Sequence, residues 1–330
     1  MILTQRQLNR AVLARQGLLE RRELDLPAAL DAMAGLQAQY APSMYIGLWS
    51  RVAGLERDAV TRALEDRSIV QGTLMRFTIH LVSAADYWPL TLAIRDSRRA
   101  WWTRVSKHGP LDEAAATLRA ALKDGPLRRK EIDALIGKEA LQGVGAWVDM
   151  VRVPPQGTWE KRRADNFGLA EDWLPQPPVD DPVGHLVRRY LTGFGPAAKG
   201  DIANWAGMGI KEIEPALDGL DTHEAEDGTT LYDLPDLPLP DPDTPAPVRF
   251  LPTWDATLLV HARRALILPE AFRERIFHTK MPQSIGTFLV DGQVAGTWKP
   301  DGTVTPFVDL NRRQRAQVDK EARALAEFSA

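Results

Sequence analysis

The first 70 residues place apolar positions at helical spacing. In "LTQRQLNRAVLARQGL" (3–18) the apolar residues recur near one face of a helix, which Thr4 is suited to cap. Asp25 is suited to cap a second helix over about 26–38, and "RDAVTRALEDR" (57–67) predicts a third. The pattern therefore predicts a helical unit at the start of the chain.

The pattern changes to alternation in "SIVQGTLMRFTIHLV" (68–82), which predicts a two-stranded hairpin. Three helices followed by a hairpin make a winged helix, which presents one helix to a DNA groove and flanks it with the hairpin. The last strand is predicted to have a buried apolar face and an exposed polar face, formed by Phe77, Ile79 and Leu81 and by Arg76, Thr78 and His80.

Two later stretches repeat one another, "GPLRRKEI" (125–132) and "GPAAKGDI" (195–202). Each lies between helical patterns, and Gly-Pro suits the boundary before a helix. Each copy then ends in a predicted hairpin. The first hairpin has a basic tip of Lys161, Arg162 and Arg163, and the second has the tight-turn pair Asp227-Gly228. The repeat predicts a second and a third winged helix.

The C-terminal third begins with a proline-rich segment. Residues 233–247 contain six prolines in 15 positions, which predicts a stiff, acidic linker. The following segments are rich in β-formers and carry Asp-Gly turn signals at 291–292 and 301–302, so a small sheet or barrel is expected. The pattern over 311–328 predicts a closing amphipathic helix.

The composition is that of an ordinary globular protein, with 44% hydrophobic and 26% charged residues. No apolar run is long enough to cross a membrane and the N-terminus lacks the apolar core of a secretory signal, so a cytoplasmic protein is expected. The net charge is −3, but residues 1–110 carry +5 and the remainder −8. The positive charge that nucleic acid attracts is therefore concentrated at the start of the chain.

Several chemistries are disfavoured by residues that the sequence lacks. The absence of cysteine excludes disulfides, thiolate metal sites and a cysteine nucleophile. "GFGPAAKGD" (193–201) lacks the Lys-Ser/Thr of a phosphate-binding loop, and there is no G-x-S-x-G motif. No metal or cofactor is expected, because metal-ligand spacing is absent among the six histidines, which are His80, His108, His185, His223, His261 and His278.

One stretch partly matches a different DNA-binding motif. "LQGVGAW" (141–147), with Asp165 further along, is similar to the hairpin of helix-hairpin-helix DNA glycosylases. Gln142 stands where that motif has proline, and Ala146 stands where it has lysine. The Gly-Pro repeat instead assigns this stretch to the recognition helix of the second winged helix.

Five segments together carry a more extensive resemblance. The chain resembles, over nearly its whole length, the winged-helix DNA glycosylases of the bacterial alkylpurine and interstrand-crosslink type. The segments are "AGLQAQYAPSMYIGLWSR" (34–51), "GTLMRFTIHLVSAADY" (72–87), "RYLTGFGPAAKGDIANWAG" (189–207), "FLPTWDATLL" (250–259) and "FLVDGQVAGTW" (288–298).

The resemblance implies an α+β fold of three tandem winged helices and a small C-terminal β-barrel, which together form a concave DNA channel. The expected domains are a first winged helix with the catalytic motif over 1–110, a second over 111–183, a third with the linker over 184–247, and the barrel with the last helix over 248–330. Many relatives have Arg-Thr where this chain has Gln71-Gly72, and glycine where it has Phe77.

The resemblance also implies a Gln-x-Gln catalytic motif, here Gln37-Ala38-Gln39. It implies a monofunctional glycosylase without a cofactor that removes cationic N7- or N3-alkylated purines. Bulky natural-product adducts or crosslinks are the expected lesions, in DNA repair and self-resistance to genotoxins. The two glutamines would hold the attacking water, although glutamine itself cannot take a proton at ordinary pH.

Convergence of the two amides depends on the local backbone. Residues two apart on a helix point in nearly opposite directions, whereas in extended backbone they share a side. Pro42 disfavours helical structure at Ala41, so the second helix is expected to end near Gln37–Gln39. The sequence permits both arrangements, and it also permits two solvated glutamines without a role.

The expected partner is double-stranded DNA with alkylated purines, bound by a monomer without membrane contact. Arg76, Thr78 and His80 are candidates for backbone contacts near the lesion, and Lys161–Arg163 for phosphate contacts. The turn at Asp291-Gly292 is a weaker candidate for probing the minor groove; each set equally suits a solvated surface. An open channel that reads damage without flipping a base is expected. The alternatives are a non-catalytic winged-helix regulator and a protein-binding scaffold.

Overall fold

The computed structural model describes residues 1–107, 109–237, 239–259, 265–277 and 285–330. Three of the six histidines, His108, His261 and His278, lie outside the described residues. The described residues form a mixed α+β fold, as predicted. Among them, no helix combines the length and apolar character needed to cross a membrane.

The first two helices begin at the predicted caps. Thr4 Oγ1 accepts a hydrogen bond from the backbone N–H of Gln7 at 3.1 Å, and Asp25 Oδ1 accepts one from Ala28 at 2.8 Å. The elements of residues 1–107 are β1 (Ile2–Leu3), α1 (Gln5–Arg15), α2 (Leu26–Ala32), β2 (Leu36–Gln37), α3 (Ala41–Trp49), α4 (Arg57–Glu65), β3 (Ile69–Thr73), β4 (Ile79–Ser83) and α5 (Ala84–Val105).

The second helix is shorter than predicted, because α2 ends at Ala32 instead of near residue 38. Ala34 and Gly35 follow it with positive φ angles of 62° and 71°. At Gly35 the chain approaches β4 so closely that a Cβ would lie 2.9 Å from the carbonyl oxygen of Leu81. The chain therefore leaves the helix early and enters β2 beside β4.

The prediction that Pro42 disfavours helical structure at Ala41 is also wrong. Ala41 is the first residue of α3, and Pro42 lies in its first turn. A proline is tolerated there because the first N–H groups of a helix have no helical acceptor. Tyr40, the residue before the helix, is extended with φ −135° and ψ 119°.

The hairpin predicted over 68–82 is present, but the predicted alternation of its last strand is wrong. Arg76 and Phe77 form the turn between β3 and β4, with positive φ angles of 54° and 57°. This left-handed backbone removes both side chains from the alternation of a strand. His80 is 3% exposed, so Arg76, Thr78 and His80 do not share an exposed face.

One order of elements recurs along the chain: a helix, a short strand, two helices and a hairpin occur twice, and a third occurrence has a single bridge in place of the short strand. The first occurrence is α2–β2–α3–α4–β3–β4. The second consists of α6 (Asp112–Leu122), β5 (Leu127–Arg128), α7 (Arg129–Ile136), α8 (Lys138–Gly143), β6 (Met150–Arg152) and β7 (Asn166–Leu169), followed by α9 (Ala170–Trp173). The third has α10 (Pro182–Phe194), α11 (Lys199–Ala206), α12 (Ile210–Ile213), β8 (Asp221–Ala225) and β9 (Thr230–Asp233).

The short strand of each occurrence pairs with the second strand of its own hairpin. β2 pairs with β4, and β5 pairs with β7. In the third occurrence a single bridge between Ala197 and Tyr232 takes this place. The Gly-Pro sequences that the repeat identified lie immediately before this position in the second and third occurrences.

The first two occurrences share one six-stranded sheet with the order β2-β4-β3-β6-β7-β5. They are joined where β3 pairs with β6, with Gln71 opposite Arg152 and Gly72 opposite Val151. The third hairpin forms a separate sheet with the N-terminal strand, in the order β1-β8-β9. Strand pairing therefore ties the first region directly to both later ones.

The C-terminal region contains an open four-stranded sheet in place of the predicted closed barrel. Within the described residues the order is β10-β11-β12-β13, and no pairing joins the first strand to the last. Apolar residues of the last helix, including Val318 and Leu325, pack with Phe250 and Phe288 of the sheet. The elements are β10 (Arg249–Leu251), α13 (Arg273–Ile276), β11 (Thr287–Val290), β12 (Gln293–Trp298), β13 (Val304–Pro306) and α14 (Arg312–Ser329).

A buried ion pair helps to fasten α5 to α10 beneath the shared sheet. Asp86 accepts hydrogen bonds from His185 Nε2 and Arg189 Nε, each at 2.7 Å. Burial opposes the ionised carboxylate, but the hydrogen bond from His185 and the charge of Arg189 hold the pKa of Asp86 below its usual value. Arg189 also pairs with Asp31 of α2 at 3.0 Å, so the ion pair extends to a third helix.

Candidate active site

Gln37 lies at the end of β2, where its side chain meets the first hairpin. It is 7% exposed and pairs in register with His80 of β4. Its Oε1 accepts a hydrogen bond from Arg76 Nη2 at 3.4 Å, which is a long contact. An amide oxygen has two acceptor positions, so one remains for a water or a substrate group.

Gln39 reaches the same hairpin from the exposed side. Its Oε1 accepts a hydrogen bond from the backbone N–H of Ile79 at 3.3 Å, and Ala38 donates to the carbonyl of Ile79 at 2.7 Å. Of the two backbone arrangements considered for the glutamines, the structure has the extended one. Both amides therefore contact the segment from Arg76 to Ile79, Gln37 from a buried position and Gln39 from an exposed one.

The turn that receives both amides has a strained backbone. Arg76 and Phe77 are consecutive non-glycine residues with positive φ, a conformation that costs on the order of 1–3 kcal/mol per residue. Phe77 packs on Trp101 with ring centroids 5.2 Å apart, and Arg98 lies 4.3 Å above its ring. These contacts offset part of the strain, and strain of this kind is concentrated at functional sites.

Arg76 links the turn to the third region. Its Nη1 donates a hydrogen bond to the carbonyl of Trp205 near the end of α11, while its Nη2 reaches Gln37. Burial lowers the pKa of Arg76 to about 10, so the guanidinium stays protonated at neutral pH. It therefore holds a positive charge directly beside the Gln37 amide.

His80 is neutral at physiological pH. Burial, followed by the charge of Arg76, lowers the pKa of His80 to about 3. Its Nδ1 lies 3.1 Å from the carbonyl oxygen of Thr78, where it is suited to donate a hydrogen bond. A neutral buried imidazole supports the turn, and it offers neither a positive charge nor an acidic proton near pH 7.

Two further arginines, Arg98 and Arg152, lie behind this turn. Arg98 Nη1 donates to the carbonyl of Thr73 at 3.0 Å, and Arg152 Nη2 donates to its hydroxyl at 2.8 Å. Both side chains are buried, and burial lowers the pKa of each to about 10. Arg152 also lies 4.2 Å above the ring of Phe167. Among the described residues, Arg98 Nε and Nη2 and Arg152 Nη1 have no hydrogen-bond partner.

Arg76, Arg98 and Arg152 together form what we call the arginine cluster. Among the described residues, no carboxylate lies within 4.0 Å of their guanidinium nitrogens. A buried charge without an ionic partner costs several kcal/mol, which hydrogen bonds and aromatic rings offset only in part. The cluster therefore makes the neighbourhood of Gln37 strongly electropositive.

The basic tip predicted between β6 and β7 belongs to a long loop over 153–165. Lys161, Arg162 and Arg163 are all exposed. Arg162 Nη1 donates a hydrogen bond to the hydroxyl of Tyr40 at 3.0 Å. The loop therefore contacts the residue that directly follows Gln39.

Tyr40 also forms part of the wall of a cavity of about 410 Å³. Trp159 and Trp298 line the same cavity. Gln37 and Gln39 are not among the described residues that line this cavity, so the open channel that reads damage without base flipping stays a prediction.

The turn at Asp291-Gly292 is anchored to α1, which counts against its use as a groove probe. Asp291 forms ion pairs with Arg10 and Arg6, the latter at 3.2 Å. Asn9 Nδ2 donates to the carbonyl of Gly292 at 2.9 Å. These contacts hold the tip of the β11–β12 hairpin against the protein.

The helix-hairpin-helix alternative receives no support from the second region. Residues 138–143 form α8, and 144–146 continue as a single 3-10 turn. Asp165 is engaged in an ion pair with Arg128 at 2.8 Å. The described residues also contain no group of three or more His, Asp or Glu side chains placed to hold a metal ion.

Sequence reasoning missed Tyr40, Arg98 and Arg152. A signal existed for Arg152, because it interrupts an otherwise apolar strand between Val151 and Val153. Arg98 gave little signal, because the arginines of a helix that contains several of them are ordinarily exposed. Tyr40 had no local signal, because its importance comes from a residue 122 positions later in the chain.

Comparisons with known proteins agree with this fold. The family model described as "DNA glycosylase AlkZ-like" matches residues 30–328. A curated protein from Streptomyces sahachiroi, named "Interstrand DNA cross-link repair glycosylase", is 24% identical over 353 aligned positions, which cover 92% of this chain and 91% of that protein. The solved structure of Streptomyces sahachiroi DNA glycosylase AlkZ matches with a TM-score of 0.82 at 22% identity, covering 100% of this chain and 97% of that one.

Proposed function

This chain belongs to the AlkZ-like DNA glycosylase family and is therefore an enzyme that hydrolyses N-glycosyl bonds in DNA; from that premise we propose which lesion it removes and how. The proposed substrate is a cationic N7- or N3-alkylated purine, especially one with a bulky natural-product adduct or a crosslink. The name of the curated relative, which states crosslink repair, supports this choice. The proposed role is DNA repair, including self-resistance to genotoxins.

We propose that the three occurrences of one element order are winged-helix modules that together bind the duplex. The short strand that pairs with the second hairpin strand in the first two regions, and the Ala197–Tyr232 bridge in the third, support this assignment. The exposed cations Lys161, Arg162 and Arg163 are proposed to contact phosphates. The turn and the start of β4 are proposed to shape the DNA-binding surface near the lesion through Arg76, Thr78 and His80.

The reaction proposed for the site needs little acid–base catalysis. An alkylated purine already carries a positive charge, so it leaves without protonation and generates an oxocarbenium-like sugar. The remaining task is to hold a water on the sugar face, for which an amide oxygen is a sufficient acceptor. General-base assistance typically contributes about 10²–10⁴-fold, and a leaving group this good can dispense with part of it.

The surroundings of Gln37 favour an amide over a carboxylate. A carboxylate at this position would lie beside the Arg76 guanidinium, which would hold it as an ion pair and lower its basicity. The neutral amide keeps an acceptor lone pair in the same electropositive setting. The contact of both glutamine amides with the segment Arg76–Ile79 is the single observation that carries the proposed mechanism.

The test is an excision assay on duplex DNA that contains 7-methylguanine. We expect the released base and an abasic site that breaks only after alkali, which is the product of a monofunctional enzyme. Gln37→Ala and Gln39→Ala should each lower the single-turnover rate, and the double variant should lower it by about 10²-fold or more. DNA binding should remain within about threefold.

Two outcomes would reject parts of this proposal. If both glutamine variants excise the base at the wild-type rate, the glutamines have no role in the mechanism, although the protein is still a glycosylase. No excision, together with selection of one short sequence from random undamaged DNA, would favour the non-catalytic regulator.

A further inference from the structure

A cavity lies between the Gln39 region and the C-terminal sheet. Its volume is about 410 Å³, and its walls come from the start of α3, the loop over 153–165, the strands β10 and β12, and the end of α14. This volume falls within the range of roughly 300–1,000 Å³ typical of small-molecule sites. Tyr40, the residue after Gln39, lies in its wall, so the cavity begins one residue along the chain from the proposed catalytic pair.

Four aromatic residues, Tyr40, Trp159, Phe250 and Trp298, line the cavity, and several of them are held in place by other contacts. Trp298 Nε1 donates a hydrogen bond to the carbonyl of Leu251 at 2.9 Å, and its ring lies 6.1 Å from that of Phe250. Trp159 packs edge-on against Tyr45 at 5.6 Å. Rings held in this way provide an apolar surface that needs little ordering when a planar group binds.

The charges around the cavity discriminate between possible occupants. Arg162 and Lys299 line it, and none of the described lining residues is Asp or Glu. A positively charged purine would meet two like charges and no Asp or Glu side chain from the described lining residues. A neutral apolar group would be accepted, and the two cations would be available to the phosphates beside it.

We propose that this cavity receives the apolar, aromatic substituent of a bulky purine adduct while the purine itself stays beside Gln37 and Gln39. The inference rests on the proposed function and deepens it, since it makes adducts with a large substituent the preferred substrate class. A methyl adduct leaves the cavity empty, whereas a polycyclic substituent fills it and gains the burial of its apolar surface. The cavity then contributes to the choice of lesion without base flipping.

The test introduces a large side chain into the cavity from α14, the last helix. Ala326 lines the cavity from an exposed position on α14, so Ala326→Trp narrows it without entering the core. Ala316→Trp introduces the same side chain at an exposed position of α14 that is not among the described lining residues, which makes it the matched control. Melting temperatures verify that both variants fold. A third variant, Ala326→Phe, introduces a smaller aromatic side chain at the same position.

The substrates are duplexes in which one guanine carries either a methyl or a pyrenylmethyl group at N7. Ala326→Trp should lower excision of the pyrenylmethyl base at least tenfold and change methyl excision less than twofold, with Ala326→Phe intermediate. Ala316→Trp should match wild type on both substrates. Equal losses on both substrates, or no loss on either, would overturn the inference while the proposed function stands. A wild-type protein inactive on both would reject the proposed function and this inference with it.

A second measurement follows the cavity without catalysis. The fluorescent anion 1-anilinonaphthalene-8-sulfonate combines an aromatic body with a negative charge, which suits the tryptophans and the two cations. We expect it to bind the wild-type protein and the Ala316→Trp variant alike, and to bind Ala326→Trp at least fivefold more weakly. Equal binding by all three proteins would show that the cavity does not accept aromatic groups.

Discussion

The two hairpins of the shared six-stranded sheet carry basic residues in opposite physical settings. The turn after β3 is tight and strained, and the arginine cluster associated with it is largely buried. The loop after β6 is long, and its cations Lys161, Arg162 and Arg163 are exposed. One site holds its charges in fixed positions, while the other offers them to solvent.

The difference separates two uses of positive charge. Exposed cations lose little solvation and act mainly by attracting phosphate, an effect that salt screens. Buried guanidinium groups lose their solvation, which is costly. We therefore infer that the fold keeps them buried to hold their hydrogen-bond donors in fixed positions. We therefore expect the first hairpin to govern rate and stability, and the loop over 153–165 to govern affinity.

The largest effect is predicted for Arg76, which we assign as a positioning residue for Gln37. Its substitution should lower the rate of base excision and leave DNA affinity nearly unchanged. Arg76→Ala removes the donor that orients the Gln37 amide and the link to the carbonyl of Trp205. We expect kcat on 7-methylguanine DNA to fall about 10²-fold, or about 2.7 kcal/mol, while KM changes less than threefold. Steady-state and single-turnover kinetics measure both.

Arg76→Lys serves as the conservative comparison, since lysine keeps the charge but not the two-directional fork. It should recover less than a tenth of the lost rate. A rise in KM without a fall in kcat would assign Arg76 to phosphate binding and remove the proposed contrast between the hairpins.

A second prediction concerns pH and His80. Its pKa is lowered to about 3 in the folded protein, whereas an unfolded histidine has about 6.5. Between these values the unfolded chain binds a proton that the folded chain does not, so stability falls as the pH is lowered through this window. The loss approaches about 1.4 kcal/mol per pH unit within this window, which gives about 2 kcal/mol between pH 7.5 and pH 5.

Chemical denaturation of wild type and His80→Asn at pH 7.5 and pH 5 measures this term. The variant should lose about 2 kcal/mol less than wild type over that interval, whatever its stability at pH 7.5. Identical pH dependence in the two proteins would contradict a buried neutral imidazole at this position.

The smallest effect on stability is predicted for the exposed loop. The triple variant Lys161→Ser, Arg162→Ser, Arg163→Ser should keep its unfolding free energy within about 0.5 kcal/mol of wild type. Its DNA affinity should be less sensitive to salt, with the slope of log K against log salt reduced by up to about 2.7. Binding titrations at several salt concentrations test this, and an unchanged slope would exclude phosphate contacts at the loop.

The sequence permitted much of the fold to be predicted because the signals were local. Thr4 and Asp25 cap their helices, and the Gly-Pro repeat marks two regions with the same order of elements. The end of α2 was missed because Gly35 is required by close approach to β4, a tertiary constraint that the helical pattern over 26–38 does not contain.

The site was less predictable, since its geometry comes from distant parts of the chain. The resemblance identified Gln37 and Gln39, but alternation placed Arg76 and Phe77 in a strand where the structure has a left-handed turn. Bulky residues rarely adopt that backbone, so local propensity argued against it. The contacts with Trp205 and Trp101, which local sequence cannot reveal, overcome the propensity.

The pairing of β3 with β6 has a mechanical consequence. β3 lies beside β4, which pairs with the strand of Gln37, and β6 leads into the loop that carries the exposed cations, so the pairing of β3 with β6 connects the two regions through one sheet. A duplex that engages both must then adapt its own shape, and bending a site of 20–30 base pairs costs on the order of 1–6 kcal/mol. DNA whose stacking is weakened by a lesion bends at lower cost, so we expect an enzyme that bends its site to bind damaged DNA in preference to intact DNA.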